Sequence, residues 1–271
     1  MNQKLLRSGG RASDQLRDIK ISYNVFGYAP GSVLFEQGNT KILCSVSIQS
    51  GVPHFLKGSK TGWLTAEYAM LPTSGHTRVL RESTQAKRND RAIEISRLIG
   101  RVLRNIINLV ALNERTILVD CDVLQADGST RTAAITGSYI ALKMAESYWL
   151  ENGELHAPIL TEAVAAVSVG FKDGNAVLDL DYGEDSTIDA DYNFITTQSQ
   201  KVIEIQGTAE KATISWDEFE QLKKLAIHGN KKLFAIIDQS LQSMVVTSRE
   251  LPKKKNEVPL FSLKNRLSTV V

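Results

Sequence analysis

The sequence predicts an α+β fold built from two similar halves, each a run of short strands followed by a long helix, with sheet packed on helix. Three observations lead there. Gly38-Asn39 and Asp173-Gly174 are tight-turn pairs, and each separates two β-rich runs. The stretches 91–109 and 131–150 are helical: the first has apolar residues at helical spacing and the second is apolar almost all round. Near the C-terminal end, Ser215-Trp216-Asp217-Glu218 has the form of a capping box and opens a third helical tract.

In chain order, the first thirty residues mix Arg, Ser, Gly and Asp with no clear period. Strands follow at 32–36 and 41–48, joined through Gly38-Asn39, and another at 63–71. A polar segment then runs to Asp90 as a long loop, the kind of segment that often carries function. Asp90 is the expected N-cap of the helix at 91–109. In that helix Ile95, Ile99, Val102, Leu103 and Ile106 form one face, and Arg97, Arg101 and Arg104 line the other. A strand at 116–124 ends at the Asp127-Gly128 turn. The helix at 131–150 should be buried on several sides, and Asn152-Gly153 ends it. The second half starts with strands at 163–172 and 175–182, then 194–197 and 201–207. The last helical tract is expected to break at Gly229-Asn230. Residues 1–248 read as one domain, and 249–271 as a basic, Pro-punctuated, flexible extension.

Composition narrows the function classes. Hydrophobic residues are 42% and charged residues 23%, which excludes bulk disorder. No run of about 18 apolar residues is present, so no membrane partner is expected. The opening MNQKLLRSGG lacks the apolar core of a secretory signal. Cys44 and Cys121 lie in apolar, strand-like runs and read as buried thiols of a cytoplasmic protein. The net charge of +2 neither demands nor excludes a polyanion, so the placement of the charges decides. The four histidines show no metal-ligand spacing.

Four features bear on chemistry. Arg91 stands in the first turn of a helix, and Asp127-Gly128-Ser129-Thr130-Arg131 feeds the start of another. Helix starts offer unpaired amides and a positive dipole end, and hydroxyls plus an arginine fork complete an anion cradle. The acidic run around Asp179, Asp181 and Asp185 supplies hard oxygen ligands for a divalent metal, or an acid for a leaving oxygen. Alternation along the expected strand puts Asp179 and Asp181 on one face, and Asp185 would follow at its end if the extension continued. The loop with His76, Arg78, Arg81, Lys87 and Arg88 has the charge to neutralise phosphates. For each feature the bland alternative is a helix cap, a solvated acidic loop or a solvated charge cluster. Nothing matches a Walker loop, dinucleotide fingerprint or nucleophile elbow.

Several long motifs, in order, resemble the ribonuclease PH family. They are GSVLFEQGNTKILCSVSI, VPHFLKGSKTGWLTAEYAMLP, DRAIEISRLIGRVLR, LVDCDVLQADGSTRTAAITG and AAVSVGF…LDLDYGEDS…IEIQGTAE, spread from about Arg7 to Val246. The resemblance implies two pseudo-related β–α halves with the fold of a ribosomal-protein domain. It also implies a tRNA nucleotidyltransferase working as a phosphorolytic 3′-to-5′ exoribonuclease. Inorganic phosphate would attack the last diester of a transfer-RNA precursor and release a nucleoside diphosphate. A homohexamer arranged as a trimer of dimers is implied, as is Mg2+. On the matching positions, Arg91, Ser129, Thr130 and Arg131 would hold phosphate, Asp179 and Asp185 would be the catalytic, metal-binding aspartates, and Arg78 and Arg81 would bind RNA. Three positions depart from the family pattern: Ser129 replaces a glycine, Thr73 an arginine, and Asn89-Asp90 a Gly-Gly pair. A positive φ at Ser129 would cost about 1 kcal/mol. A non-catalytic ring subunit would lack the arginines or the aspartates, and a small-molecule kinase would need a glycine-rich loop that is missing here.

Overall fold

The computed structural model describes residues 7–81 and 89–244, and it folds them into two sheets that share the helices between and around them. The first sheet comprises β1 (Ile19–Tyr23), β2 (Gly31–Gln37), β3 (Thr40–Ser50), β4 (Trp63–Met70) and β5 (Arg115–Gln125), in the order β1-β2-β3-β5-β4. All its pairs are antiparallel except β4 with β5. That parallel pair needs a crossover, and α1 (Asp90–Asn105) with the short α2 (Leu109–Leu112) supplies it. The buried helix α3 (Thr130–Glu151) follows. The second sheet, β6 (Val164–Lys172), β7 (Asn175–Leu178), β8 (Ala190–Thr197) and β9 (Val202–Ala209), is antiparallel in the order β7-β6-β8-β9. The one-turn α4 (Tyr182–Asp185) links β7 to β8, and α5 (Trp216–Met244) closes the described chain.

The burial patterns explain the layering. Along β3, buried and partly exposed residues alternate, as in a sheet with one covered face. In β6 every residue from Val164 to Phe171 is buried, because α3 covers one face and α5 the other. α3 meets β2, β3 and β5 of one sheet and β6 of the other, so it is buried nearly all round, as its composition implied. One hydrophobic core therefore runs through both halves. Within it α1 contributes Ile95, Leu98, Ile99, Val102 and Leu103, each worth roughly 1.5–3 kcal/mol on full burial. Cys44 and Cys121 are register partners across β3 and β5, and both are free, buried thiols. Among the described residues, no helix is long and apolar enough to cross a membrane.

Four expectations need correcting. Asn89, not Asp90, caps α1: its side chain accepts from the amides of Arg91 and Ala92, and the helix ends at Asn105. β1 occupies residues 19–23, where composition gave no signal, because it is an edge strand with only partial burial. The expected strand 175–182 stops at Leu178, since Asp179 takes a left-handed φ of 57° and Asp181 caps α4. Gly229-Asn230 does not break α5. A Cβ on Gly229 would lie 2.5 Å from Leu178, so glycine there serves close packing. Asn230 is buried and donates to the Phe194 carbonyl and the Thr196 hydroxyl, which makes it a tertiary contact of the helix. The expected extension 249–271, together with Lys87 and Arg88, lies outside the described residues.

Candidate active site

The turn before α3 is forced into an unusual shape by what it touches. Gly128 has φ +76°, and a Cβ there would lie 2.5 Å from the Leu180 carbonyl oxygen, so only glycine fits. Ser129 is left-handed too (φ 57°, ψ 25°), the conformation expected to cost a serine about 1 kcal/mol. Hydrogen bonds offset that cost. Ser129 Oγ lies 2.6 Å from Ser168 Oγ and 2.9 Å from the Leu180 oxygen. The hydroxyl is thus committed to the β7–α4 segment, and it forms no cap on α3. The first-turn amides of α3 are left for an anion, with the helix dipole behind them.

These amides open onto a cleft of about 290 Å3. The starts of α1 and α3 contribute Arg91, Thr130 and Arg131; the end of α4 contributes Asp185; the strands β8 and β9 contribute Asp191 and Gln206, with Glu210 just beyond β9. Thr130 is buried and its hydroxyl accepts from the Tyr68 hydroxyl at 3.0 Å. The Arg131 guanidinium donates to Gln206 Oε1 (2.7 Å) and to Glu94 Oε1 (3.2 Å), which leaves further donors of its fork for a ligand. Arg91 is exposed at the cleft edge.

The carboxylates have distinct electrostatics. Burial pushes Asp185 above the usual carboxylate range, while Arg91 pulls the other way. Asp191 is raised by burial and by the charges of Asp185 and Glu210. Asp179 behaves oppositely. It is fully buried, and its carboxylate accepts from the Arg17 amide (2.7 Å), Nε (3.1 Å) and Nη2 (2.6 Å). Burial alone would raise its pKa, but the Arg17 charge and hydrogen bonds hold it below the usual range.

Of the residues expected from sequence, Arg91, Ser129, Thr130, Arg131 and Asp185 come together in this cleft. Asp179 does not join them: Arg17 saturates its carboxylate in the interior, outside the residues lining the cleft. The pairing with Asp185 is what the family resemblance implies; the left-handed backbone at Asp179 ends the strand there and turns the chain away. Arg78 and Arg81 sit outside the cleft on the exposed 71–81 loop, though Arg81 lines an adjoining hollow with Arg91. Sequence reasoning missed Asp191 as a site residue, because only the start of β8 at Ala190 carries it to the cleft wall. It also missed the arm Arg7–Arg17. There Arg7 and Arg11 pair with Glu184, both donate to the Asp179 carbonyl, and Arg17 donates to the Asp127 carbonyl as well.

Among the described residues, no group of three or more His, Cys, Asp and Glu side chains is arranged to hold a metal. Asp185 and Asp191 nevertheless fit Mg2+, which binds through one or two carboxylates and completes its shell with water and substrate phosphate. Asp179 does not fit, because its oxygens are already engaged by Arg17.

Residues 15–147 match the 3′ exoribonuclease family, domain 1, and residues 162–229 match domain 2 of the same family. The chain is 52% identical over 238 residues to ribonuclease PH of Tropheryma whipplei, covering 88% of this chain and 96% of that one. It is 52% identical over 219 residues to ribonuclease PH of Neisseria meningitidis, covering 81% and 90%. Among solved structures, rice Rrp46 superposes with a TM-score of 0.70 at 18% identity, covering 87% of this chain and all of that one. The Archaeoglobus fulgidus exosome with RNA bound to its active site gives 0.71 at 21% identity, covering 85% and 92%. At such identities these two likenesses speak for the fold.

Proposed function

This chain belongs to the 3′ exoribonuclease family, and from that premise we propose that it shortens RNA 3′ ends by phosphorolysis, with transfer-RNA precursors as substrate and nucleoside diphosphates as product. The observation that carries the reading is one cleft holding Arg91, Arg131 and the start of α3 together with Asp185 and Asp191.

Orthophosphate sits on the first amides of α3 and the Thr130 hydroxyl, between the guanidinium groups of Arg91 and Arg131. The two positive charges offset its own, so that it can approach an anionic diester. Holding both reactants in line replaces a bimolecular encounter, worth up to roughly 7–11 kcal/mol when alignment is good. A phosphate oxygen bonds to the phosphorus of the terminal nucleotide as the bond to the 3′ oxygen of the penultimate one breaks. The Asp185 carboxylate, in the cleft wall, orients the proton of the attacking hydrogen phosphate or of a bound water toward that leaving oxygen. Mg2+, when bound, would be held by Asp185 and Asp191 and would neutralise charge on the diester. One phosphate ester is exchanged for one anhydride, so excess nucleoside diphosphate extends RNA in reverse. A homohexamer built as a trimer of dimers and a cytoplasmic location complete the reading, supported by the family resemblance and by the free buried thiols.

The deciding assay uses a short RNA with a free 3′ end, with and without inorganic phosphate. Shortening should require phosphate and yield nucleoside diphosphates. Equal shortening in phosphate-free buffer, with monophosphates released by water, would overturn the reading.

RNA binding is assigned to the exposed loop with Arg78 and Arg81, which leads toward Arg91. Thr73 lies exposed on the same loop. Thr73→Arg should therefore tighten RNA binding and steepen its salt dependence by about 0.7 in log–log slope, the value for one added contact to a single strand. Binding isotherms at several salt concentrations test this; an unchanged slope would remove residue 73 from the RNA path.

A further inference from the structure

Ser129 and Ser168 do more than line the cleft. Their hydroxyls close a ring with the backbone of Leu180. The Leu180 amide donates to Ser168 Oγ at 3.1 Å, Ser168 Oγ and Ser129 Oγ are 2.6 Å apart, and Ser129 Oγ lies 2.9 Å from the Leu180 oxygen. Ser129 Oγ also lies 3.4 Å from Asp179 Oδ1, so its one proton goes to the Leu180 carbonyl or to that carboxylate; with it so placed, Ser168 donates to Ser129 and accepts from the Leu180 amide. The Asp179 amide adds a bond to the Ser168 carbonyl at 2.8 Å.

The ring joins three separate pieces of chain. Ser129 heads α3, whose first amides receive the phosphate in the proposed function. Ser168 lies in the middle of β6, a strand buried on both faces and so a rigid reference. Leu180 leads through the Asp181-capped turn α4 to Asp185. Arg17 reinforces the link from the other side, because its guanidinium donates to both the Asp127 carbonyl and the Asp179 carboxylate. Gly128 presses against the same segment, with no room for a Cβ. The phosphate loop and the carboxylate arm are thus fastened to each other, not merely adjacent.

We propose that Ser129 and Ser168 are positioning residues whose paired hydroxyls set the spacing between the phosphate-holding start of α3 and the Asp185 carboxylate. The inference rests on the cleft being the phosphate site. It also gives the serine at position 129 a purpose: the side chain that strains the backbone is the one that makes the fastening.

The test is steady-state kinetics with inorganic phosphate as the varied substrate, on Ser129→Gly, Ser129→Ala, Ser168→Ala and the Ser129→Ala/Ser168→Ala double variant. Ser129→Gly keeps the fold, since glycine adopts the left-handed conformation without strain. Each single variant should raise the KM for phosphate roughly three- to tenfold and lower kcat, with the KM for RNA unchanged. The double variant should be no worse than the poorer single one, because breaking either hydroxyl opens the ring. A wild-type phosphate KM in Ser129→Gly or Ser168→Ala would overturn the proposal. So would full additivity, or a lower melting temperature with unaltered kinetic constants. The wild-type control separates this from the parent reading: if the unaltered enzyme ignores phosphate, the phosphate site itself is wrong, whereas phosphate-dependent wild type with unaffected variants defeats only the fastening.

Discussion

Asp185→Asn is expected to reduce turnover about 10²–10⁴-fold while leaving a folded protein that melts no lower, and at neutral pH higher, than the wild type. The loss follows from its place in the cleft, where it lies with Arg91, Arg131 and the start of α3. The gain in stability follows from linkage. A carboxylate whose folded pKa lies above its unfolded value near 3.9 destabilises the fold once it is ionised. That cost is absent below the unfolded pKa, grows as pH rises through the folded pKa, and is fully present above it. Asparagine removes it. Asp179→Asn should behave in reverse. The folded pKa of Asp179 is depressed, so its contribution is full above the unfolded value and is lost as pH falls through the folded value. Neutralising it at pH 7 leaves Arg17 buried without its charge partner, a loss of roughly 3–5 kcal/mol. Melting curves of both variants at pH 7 and near pH 4, paired with the phosphorolysis assay, check the contrast. A fully active Asp185→Asn would remove that residue from the chemistry, and a melting point raised by Asp179→Asn would contradict the buried ion pair.

That contrast also marks how far the sequence could be read. Period and turn chemistry are local, so the hairpin at Gly38, the helix starts near residues 90 and 130 and the Ser215 capping box were all legible. The same locality made the helix starts recognisable as anion sites, and both face the cleft. What failed depends on distant contacts. Nothing near Asp179 in sequence shows that Arg17, 162 residues away, will claim its carboxylate. Once that pair forms in the interior, the strand cannot continue at its expected register, and Asp191 becomes the second carboxylate of the cleft. Gly229-Asn230 misled for the same reason: a breaker pair by propensity is held in a helix by Leu178 and by two acceptors on β8. β1 was silent because an edge strand needs little burial, and so leaves little pattern.

Arg131→Ala should raise the phosphate concentration needed for half-maximal rate about 10- to 100-fold, the effect of losing charge-assisted hydrogen bonds worth roughly 1.5–3 kcal/mol. The fold should tolerate the change. The protein partners of Arg131 are Gln206 and a half-exposed Glu94, and such a pair contributes about 0–1 kcal/mol. Arg91→Ala should act in the same direction, since Arg91 is exposed at the cleft edge and joins Arg131 in drawing down the pKa of Asp185. Arg131→Lys keeps the charge but loses the planar fork, so it should fall between wild type and alanine. RNA affinity in phosphate-free buffer should stay unchanged in all three, because the loop with Arg78 and Arg81 lies outside the cleft. Rate against phosphate concentration, set beside RNA binding without phosphate, gives the decision. If alanine at residue 131 leaves phosphate dependence normal, the amides of α3 hold the anion without it. If RNA affinity drops in step with the phosphate requirement, the arginines grip the diester of the substrate, and the free phosphate must be sought on the other side of Asp185.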